Sequence, residues 1–447
     1  MKFRVMVALG VVAAALLTIF MIPEASAAGI PEVYDAESSI NLGDSMWILI
    51  CTILVFMMAP ALALFYGGML RKQSMTSTIA QCTMASAVVF LFWALIGYSF
   101  AFDGDHAGII GGFGYAFMNN VPFDQAIVGG TIPDMEFLVF QGMFALVTAC
   151  IVVGAVAERV RFSAIMVFLA LWCVFIYAPM THMVWGGGLL SPDYLTEIGL
   201  TSLDYAGGTV VHICSGVSGL AIAIVVGKRS ARTIKERPHN VPLMYLGAIM
   251  LWLGWLGFNG GSGLAFNTGL FNVITVTLVS SFVAMIAWAV LQTVLAGRIS
   301  VSGLCAGFLA GLVGITPACG FVDVPAAIVI GIVTAIICYF GISFMRKKSG
   351  VDDALDVFGL HGLGGITGAI LTGVLAVPAL TDTPGAIYGG WDLLGGQFVA
   401  VGFTLLYCFV VAFVLMKIIS LVMKYRLTDD EEQIGADIVE HGESAYN

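Results

Sequence analysis

Two histidines of this chain lie deep inside long apolar runs. His212 ends the stretch Asp204-Tyr-Ala-Gly-Gly-Thr-Val-Val-His, and His361 ends the stretch Asp356-Val-Phe-Gly-Leu-His. Ionisable side chains are costly in a hydrocarbon layer, so they are usually found where they face a polar partner, a cavity or a transport pathway. An imidazole can donate through one ring nitrogen and accept through the other, and its unperturbed pKa lies near neutral pH. Two imidazoles in contact could therefore line a path for a proton or for a small hydrogen-bonding solute.

The composition around them is that of a polytopic membrane protein. The chain has 447 residues, of which 60% are hydrophobic and only 10% are charged. This composition excludes an ordinary soluble domain. The 54 glycines favour a tightly packed bundle, because small residues let transmembrane helices approach closely. The nine cysteines lie almost all in apolar runs, so we expect neither a disulfide framework nor a metal cluster.

Apolar stretches of about 20 residues predict an all-α protein with eleven transmembrane helices. The predicted spans are 45–68, 77–101, 136–157, 163–185, 205–227, 242–262, 270–296, 299–317, 326–345, 356–377 and 395–423.

Lysine and arginine fall on one side of these spans only. That side receives Arg71, Arg159, residues 228–237, residues 346–348 and residues 417–426, whereas the opposite side carries acidic residues. By the positive-inside rule, the mature N-terminus is outside and the tail is cytoplasmic, as in a multi-pass protein of the cytoplasmic membrane. The formal net charge of −10 gives no reason to expect nucleic-acid binding.

Residues 1–27 have the pattern of a secretory signal peptide. Lys2 and Arg4 precede an apolar stretch, and small residues follow it, which predicts cleavage near Ala27 or Ala28. An uncleaved signal anchor is the alternative. We therefore expect a signal peptide at 1–27, a membrane domain at 28–426 and a tail at 427–447.

The histidines fall in the fifth and tenth spans, which suggests two five-span units followed by one extra helix. A unit with an odd number of spans forces its repeat into the opposite orientation, as in transporters with inverted repeats. His212 and His361 could then meet near the midplane of the membrane. The alternative is that each histidine serves only as an interhelical hydrogen bond.

Eight stretches in order, from about residue 45 onward, resemble the ammonium transporter (Amt/Mep/Rh) family. They are Phe65-Tyr-Gly-Gly-Met-Leu-Arg71, Phe140-Gln-Gly-Met-Phe144-Ala, Gly154-Ala-Val-Ala-Glu158-Arg159, His182-Met-Val-Trp185-Gly-Gly-Gly188, Asp204 to His212, Gly257-Phe258-Asn259-Gly-Gly-Ser262, Thr316-Pro-Ala-Cys-Gly320 and Asp352-Asp353 to His361. The resemblance implies a homotrimer in which each subunit has its own narrow pore, with the two histidines midway along it. Trp185 and Ser262 favour the Amt branch over the Rh branch, and the resemblance as a whole implies a member of prokaryotic type.

The resemblance also implies roles for particular side chains. Phe144, Trp185 and Ser262 would form an external cation-binding site, Phe144 and Phe258 would form a gate beneath it, and Asp204 would support the site structurally. From the residues alone, Trp185 is more typical of an interfacial aromatic belt, the phenylalanines are more typical of ordinary packing, and Asp204 is most typical of a helix N-cap.

These side chains suit a pore that selects ammonium over potassium. Aromatic faces attract a cation, and a serine hydroxyl can accept an N–H hydrogen bond. Desolvation disfavours the charged form of an amine, so ammonium moving inward tends to lose its proton, whereas potassium has none to lose. We therefore expect proton-linked, electrogenic uptake of ammonium or methylammonium, with a passive ammonia channel as the alternative.

The remaining expectations concern the tail and rival functions. Residues 427–447 are acidic and by composition disordered; the resemblance instead implies a packed tail, a PII-type signal protein as a partner and a possible sensor function. An enzyme is not expected, because two histidines without a third ligand do not make a catalytic zinc site and the chain has no phosphate-binding loop. No cofactor is expected, and a generic cation channel remains a rival.

Overall fold

The computed structural model describes residues 39–231 and 238–446, and every regular element in those ranges is helical. This confirms the all-α fold class. The expected signal peptide lies outside the described residues.

Ten helices of the described part are long and apolar enough to cross a membrane, and an eleventh apolar helix is shorter. In chain order they are α1 (Leu42–Met69), α2 (Lys72–Phe102), α3 (Asp134–Ala155), α4 (Phe162–Trp185), α5 (Gly208–Val226), α6 (Val241–Gly261), α7 (Thr268–Ala296), α8 (Val301–Ile315), α9 (Val324–Lys347), α10 (Phe358–Leu375) and α11 (Trp391–Val422).

Helix α8 is the short one, with 15 residues. At 1.5 Å per residue it is roughly 22 Å long, less than the roughly 30 Å of a hydrocarbon core. Ser300 caps its start by accepting a hydrogen bond from the Gly303 amide at 3.1 Å, and Pro317 follows its end. The Pro317 carbonyl accepts a hydrogen bond from the Tyr205 amide at 3.1 Å. The turn after α8 is thereby tied to the segment that leads into α5.

The first five helices and the next five make the same set of contacts. The pairs α1–α3, α2–α3, α2–α4 and α3–α5 all touch, and so do α6–α8, α7–α8, α7–α9 and α8–α10. Helix α11 stands outside this repeat and packs on α5 and α10. The arrangement is that of two five-helix units followed by one extra helix.

Helices α5 and α10 both begin with a single π-helical segment. These segments are Gly208–Ile213 and Phe358–Gly362, and each is followed by 13 residues of regular α-helix. Single π-turns inside α-helices are frequent at functional sites. Each of these two π segments contains one of the two histidines; α2 and α4 also contain π segments, at Trp93–Gly97 and Cys173–Tyr177.

The tail is folded against one face of the bundle. Residues Asp429–Ile434 form a short helix, begun by a capping box between Thr428 and Glu431, and a π turn follows at Asp437–His441. Glu432 and Asp437 are fully buried. The expectation of disorder from composition is therefore wrong, because the acidic side chains find buried partners that the composition does not reveal.

Candidate functional site

The two histidines meet inside the bundle. The Nδ1 atoms of His212 and His361 lie 3.2 Å apart, and both side chains are buried. Since one proton lies between the two Nδ1 atoms, one neutral ring donates and the other accepts. The donor ring then has a bare Nε2 and the acceptor ring carries an Nε2–H. A pair in this state offers one acceptor and one donor to its surroundings.

An aspartate eight residues before each histidine begins the helix that carries it. Asp204 accepts hydrogen bonds from the amides of Gly207, Gly208 and Thr209 at 2.8, 2.6 and 2.8 Å. The carboxylate thus satisfies amides that a helix start leaves without partners. Gly207 has a φ of 111°, a conformation that glycine adopts at little cost.

Asp353 plays the same structural part for His361. It accepts hydrogen bonds from the amides of Val357 and Phe358 at 2.9 and 2.7 Å. Burial, and then the nearby carboxylate of Asp356, raise the pKa of Asp353 to about 7, although the two amide hydrogen bonds oppose the rise. Asp356 itself is paired with Arg346. The sequence already held the signal, because the spacing from Asp353 to His361 equals that from Asp204 to His212.

Two stacked phenylalanines lie next to the histidine pair. The ring centroids of Phe144 and Phe258 are 4.1 Å apart, and the rings are nearly parallel, at 28°. Phe258 in turn stacks on His212 at 6.0 Å. Both phenylalanines are buried, at 1% and 0% exposure. A solute moving along this line towards the histidines would have to displace the aromatic rings.

Trp185 approaches the stack from its other side. Its ring meets Phe144 edge to face at 6.4 Å, and its Nε1–H donates to the Asp204 carbonyl at 2.8 Å. The same aspartate therefore holds the start of α5 through its side chain and Trp185 through its backbone. Trp185 is half-buried, so part of its ring remains accessible.

Ser262 follows Phe258 by one helical turn at the end of α6. Its hydroxyl donates to the Phe258 carbonyl at 2.8 Å. Because a serine oxygen keeps two lone pairs, the oxygen can still accept a hydrogen bond. Ser262 is half-buried whereas Phe258 is fully buried, so the hydroxyl lies nearer the surface than the Phe258 ring.

A mainly apolar cavity contains both histidines. Besides them and Phe258, its wall includes Met58, Leu62, Tyr66, Val147, Leu251, Trp255, Leu309 and Leu360. The Nε2 atom of His212 is buried and has no protein hydrogen-bond partner among the described residues. The cavity thus combines mainly apolar walls with an imidazole nitrogen that makes no hydrogen bond to the described residues.

Trp255 is a site residue that the sequence reasoning missed. Its indole stacks on His212 at 5.3 Å and 22°, and its Nε1–H donates to the Thr316 hydroxyl at 2.9 Å. Thr316 belongs to the turn after α8, so that turn contacts the site through Trp255. Trp255 precedes Phe258 by three residues and so shares its helix face, which was the available signal.

A buried ion network occupies the face of the bundle that carries the arginines, here called the basic face and marked by Arg71, Arg159, Arg229 and Arg426. Glu158 lies 3.0 Å from Arg71 and 2.7 Å from Arg229, and Arg229 also binds Asp352 at 2.8 Å. Burial alone would raise the pKa of Glu158, but the guanidiniums of Arg229 and Arg71 lower it below its ordinary value.

The tail joins this network directly. The Glu432 carboxylate binds Arg426 at 2.9 Å, its backbone carbonyl accepts from Arg71 at 2.8 Å, and Asp437 accepts from the Ser77 amide at 2.7 Å. The tail and the loops of the basic face are thereby linked through shared charged groups.

The family model described as Ammonium Transporter Family matches residues 46–446. The chain belongs to the ammonium transporter family. An ammonium transporter of Bacillus subtilis is 41% identical over 91% of this chain and 99% of its own length. Ammonium transporter Amt1 of Archaeoglobus fulgidus is 40% identical over 90% of this chain and 99% of its own length.

Solved structures of the family share the fold. The crystal structure of Candida albicans Mep2 has a TM-score of 0.82 at 34% identity, with 91% of each chain covered. A protein described as a sensor Amt protein has a TM-score of 0.80 at 28% identity and is covered over 98% of its length, with 89% of this chain. Ammonium transporters are membrane transport proteins, so this chain is a multi-pass membrane transporter rather than an enzyme.

In this ammonium transporter, most of the expected side chains form one continuous line. Trp185 contacts Phe144, Phe144 contacts Phe258, Phe258 contacts His212, and His212 contacts His361. Asp204 attaches to the line through Trp185, and Ser262 attaches through Phe258.

Proposed function

We propose that this protein takes up ammonium or methylammonium through a pore in each subunit of a homotrimer, and that the twin histidines relay the proton. The observation that supports this most is the Nδ1 contact of His212 and His361 at the end of the line of aromatic rings. A structural hydrogen bond alone would not require a cavity or an unpartnered Nε2 beside it.

The cation is captured between Trp185, Phe144 and Ser262. The two rings present π faces to the cation, and the Ser262 oxygen, which already donates to Phe258, is free to accept an ammonium N–H. A cation–π contact is worth about 2 kcal/mol once the cation is desolvated. Asp204 supports this site through its carbonyl contact with Trp185.

Passage past Phe144 and Phe258 removes water from the ammonium ion. The stacked rings fill the path, so they must move to let a solute through. Desolvation favours the neutral amine, and the apolar cavity beyond the gate favours it further. Potassium has no neutral form and is rejected at this point.

The released proton and the ammonia then meet the histidine pair. The bare Nε2 of one ring accepts a proton, the shared Nδ1 proton shifts to the partner, and the Nε2–H of that partner is released on the far side. Ammonia diffuses separately along the aliphatic wall. The two routes together carry one net charge per ammonium, which makes uptake electrogenic.

The orientation belongs to the same proposal. Residues 1–27 act as a signal peptide, residues 28–426 form the membrane domain with its N-terminus outside, and the tail at 427–447 is cytoplasmic. The basic face would then be the cytoplasmic exit in the inner membrane, where a PII-type signal protein would bind.

Current recorded from the purified protein in planar bilayers tests the relay. Wild-type protein is expected to give an inward current on addition of ammonium, and none with potassium. His212→Ala and His361→Asp are expected to pass potassium or to lose the current while ammonia flux continues. Lack of current in the wild type, together with measured ammonia flux, would leave a passive ammonia channel. Methylammonium uptake that potassium competes away would indicate a generic cation channel.

A sensor or transceptor is a second candidate function. The similarity to the sensor Amt protein and the buried docking of the tail favour it. A strain that lacks its own ammonium transporters would separate the two functions: rescue of growth on low ammonium supports transport, and an ammonium response without uptake supports sensing.

A further inference from the structure

We infer that Gly216 and Gly365 are positioning residues that set the distance between the two relay histidines, an inference that rests on the proposed function. Each glycine follows a histidine by four residues, and so lies one helical turn beyond it on the same face. Each packs on the helix that carries the other histidine.

Gly216 contacts the backbone directly after His361. A methyl group at Gly216 would lie 2.3 Å from the Gly362 amide nitrogen and 2.5 Å from its Cα atom. Ordinary contacts between such atoms are about 3.5 to 4.0 Å, so α5 and α10 would have to separate by roughly 1 Å. Backbone atoms cannot move aside as a flexible side chain can.

Gly365 makes the reciprocal contact in α10. A methyl group there would lie 2.9 Å from the Gly208 carbonyl oxygen, 2.9 Å from Ile213 Cγ1 and 3.1 Å from the Cβ atom of His212. It would thus press on the side chain of His212 itself. These contacts are tight but milder than those of Gly216.

The two contacts frame the histidine pair from both sides. The regular part of α5 touches the π segment of α10, and the regular part of α10 touches the π segment of α5. Among the described residues, the Nδ1 contact is the one hydrogen bond of the His212 ring, because its Nε2 has no partner there. The orientation of the ring therefore depends on that contact, the stacked rings and the helix position. A shift of roughly 1 Å would stretch the 3.2 Å contact beyond hydrogen-bond range.

The test compares Gly216→Ala and Gly365→Ala with two matched glycine variants. Gly402→Ala in α11 adds a methyl group in open space, and Gly219→Ala in α5 meets only side-chain atoms of Ala155 and Val357, at 3.0 and 3.2 Å. Alanine has the higher helix propensity, so both controls should fold. Purified variants in proteoliposomes are assayed for ammonium-evoked current and for ammonia flux.

We expect Gly216→Ala to lower the current at least tenfold relative to Gly402→Ala, with a smaller fall in ammonia flux. We expect Gly365→Ala to lower the current less, and again to lower it more than the ammonia flux. Solid-state NMR on ¹⁵N-histidine protein gives a readout that general destabilisation would not produce. The Nδ1–Nδ1 coupling across the hydrogen bond should be present in wild type and in Gly402→Ala and absent in Gly216→Ala. If Gly216→Ala does not fold, the same coupling measurement on Gly365→Ala tests the inference.

Persistence of the coupling in both variants would overturn the inference, whatever happens to the current. If instead the coupling disappears in the glycine variants but His212→Ala conducts as wild type does, the glycines position the pair and the proposed relay is wrong. The two failures are therefore distinguishable.

Discussion

The segment 204–226 beside Trp185 and the segment 353–375 at the basic face are built to one plan. Asp204 and Asp353 cap the start, His212 and His361 follow after eight residues within a π segment, and a glycine lies four residues further on. The two segments differ almost entirely in what surrounds the aspartate.

Asp204 is half-buried beside an aromatic side chain, and its carbonyl holds Trp185. Asp353 is buried beside Asp356 and near the Arg229–Asp352 pair, which belongs to the network that holds the tail. The two histidine-bearing segments are thus built alike, and they differ in the surroundings of the capping aspartate: accessible aromatic side chains at one end and a buried charge network at the other.

Loss of the cap should have its largest effect at the aromatic end. We expect Asp204→Ala to abolish methylammonium uptake, because several amides of the α5 start lose their acceptor and the backbone that holds Trp185 is released. Removal of a helix cap costs about 0.5 to 2 kcal/mol of stability. Uptake in whole cells and the thermal midpoint of the purified protein measure both effects.

Asp204→Asn keeps one oxygen acceptor and should retain part of the uptake. Normal folding with full uptake in Asp204→Ala would show that the carboxylate is dispensable and that the two ends do not share a structural requirement.

At the basic face, the largest expected effect is on stability. Glu158→Ala leaves Arg71 and Arg229 without their shared carboxylate, and removal of one partner from a buried ion pair costs about 3 to 5 kcal/mol. Glu158 and Arg71 are almost fully buried, so solvent cannot replace the lost contacts. We expect a lower thermal midpoint and faster proteolysis of the tail.

Glu431→Gln is the matched control, because Glu431 pairs with Arg161 at a partly exposed position, where the two side chains are 29% and 18% exposed. Exposed pairs contribute about 0 to 1 kcal/mol. Equal effects of the two variants would contradict the view that the buried network, rather than the surface pairs, locks this end.

The helices and the two capping aspartates could largely be predicted from local sequence. Apolar runs predict the described helices, and among them α8 alone is shorter than a membrane span. Pro317 follows its end, and Thr316 in the turn after it binds Trp255. Equal spacing from an aspartate to a histidine could have identified Asp353 as the counterpart of Asp204.

Other contacts could not be predicted from spacing alone. The stack of Trp255 on His212 joins α6 to α5, and the docking of Glu432 joins the tail to two separate loops, through Arg71 and Ser230. Such contacts depend on how the helices are arranged in space. The acidic tail therefore looked disordered until its arginine partners were known.

Trp185→Leu is expected to have a moderate effect on the KM for methylammonium, at the end of the molecule that carries the aromatic side chains. The change removes the π face and the indole N–H while it retains apolar bulk. Loss of about 2 kcal/mol of cation–π attraction corresponds to a rise of roughly 30-fold in the KM for methylammonium. Trp391→Leu, at an exposed position at the start of α11, is the control and should leave the KM unchanged. A wild-type KM in Trp185→Leu would remove Trp185 from the capture site.

The last expected effect is a change in how stability depends on pH at the basic face. Burial raises the pKa of Asp353 to about 7 in the folded protein, against 3.8 in the unfolded chain. Between these values the folded state keeps a proton that the unfolded state has lost, so the contribution of Asp353 to stability falls as the pH rises from about 4 to about 7. Asp353→Asn should therefore gain in thermal midpoint relative to wild type between pH 5 and pH 8.

Glu431→Gln should show no such trend, because Arg161 lowers the pKa of Glu431 to about 2 and the contribution of Glu431 to stability changes only below its ordinary pKa of 4.5. A difference between wild type and Asp353→Asn that stays constant with pH would mean that the pKa of Asp353 is not raised in the folded protein, and the contrast between the two ends would then rest on the aromatic site alone.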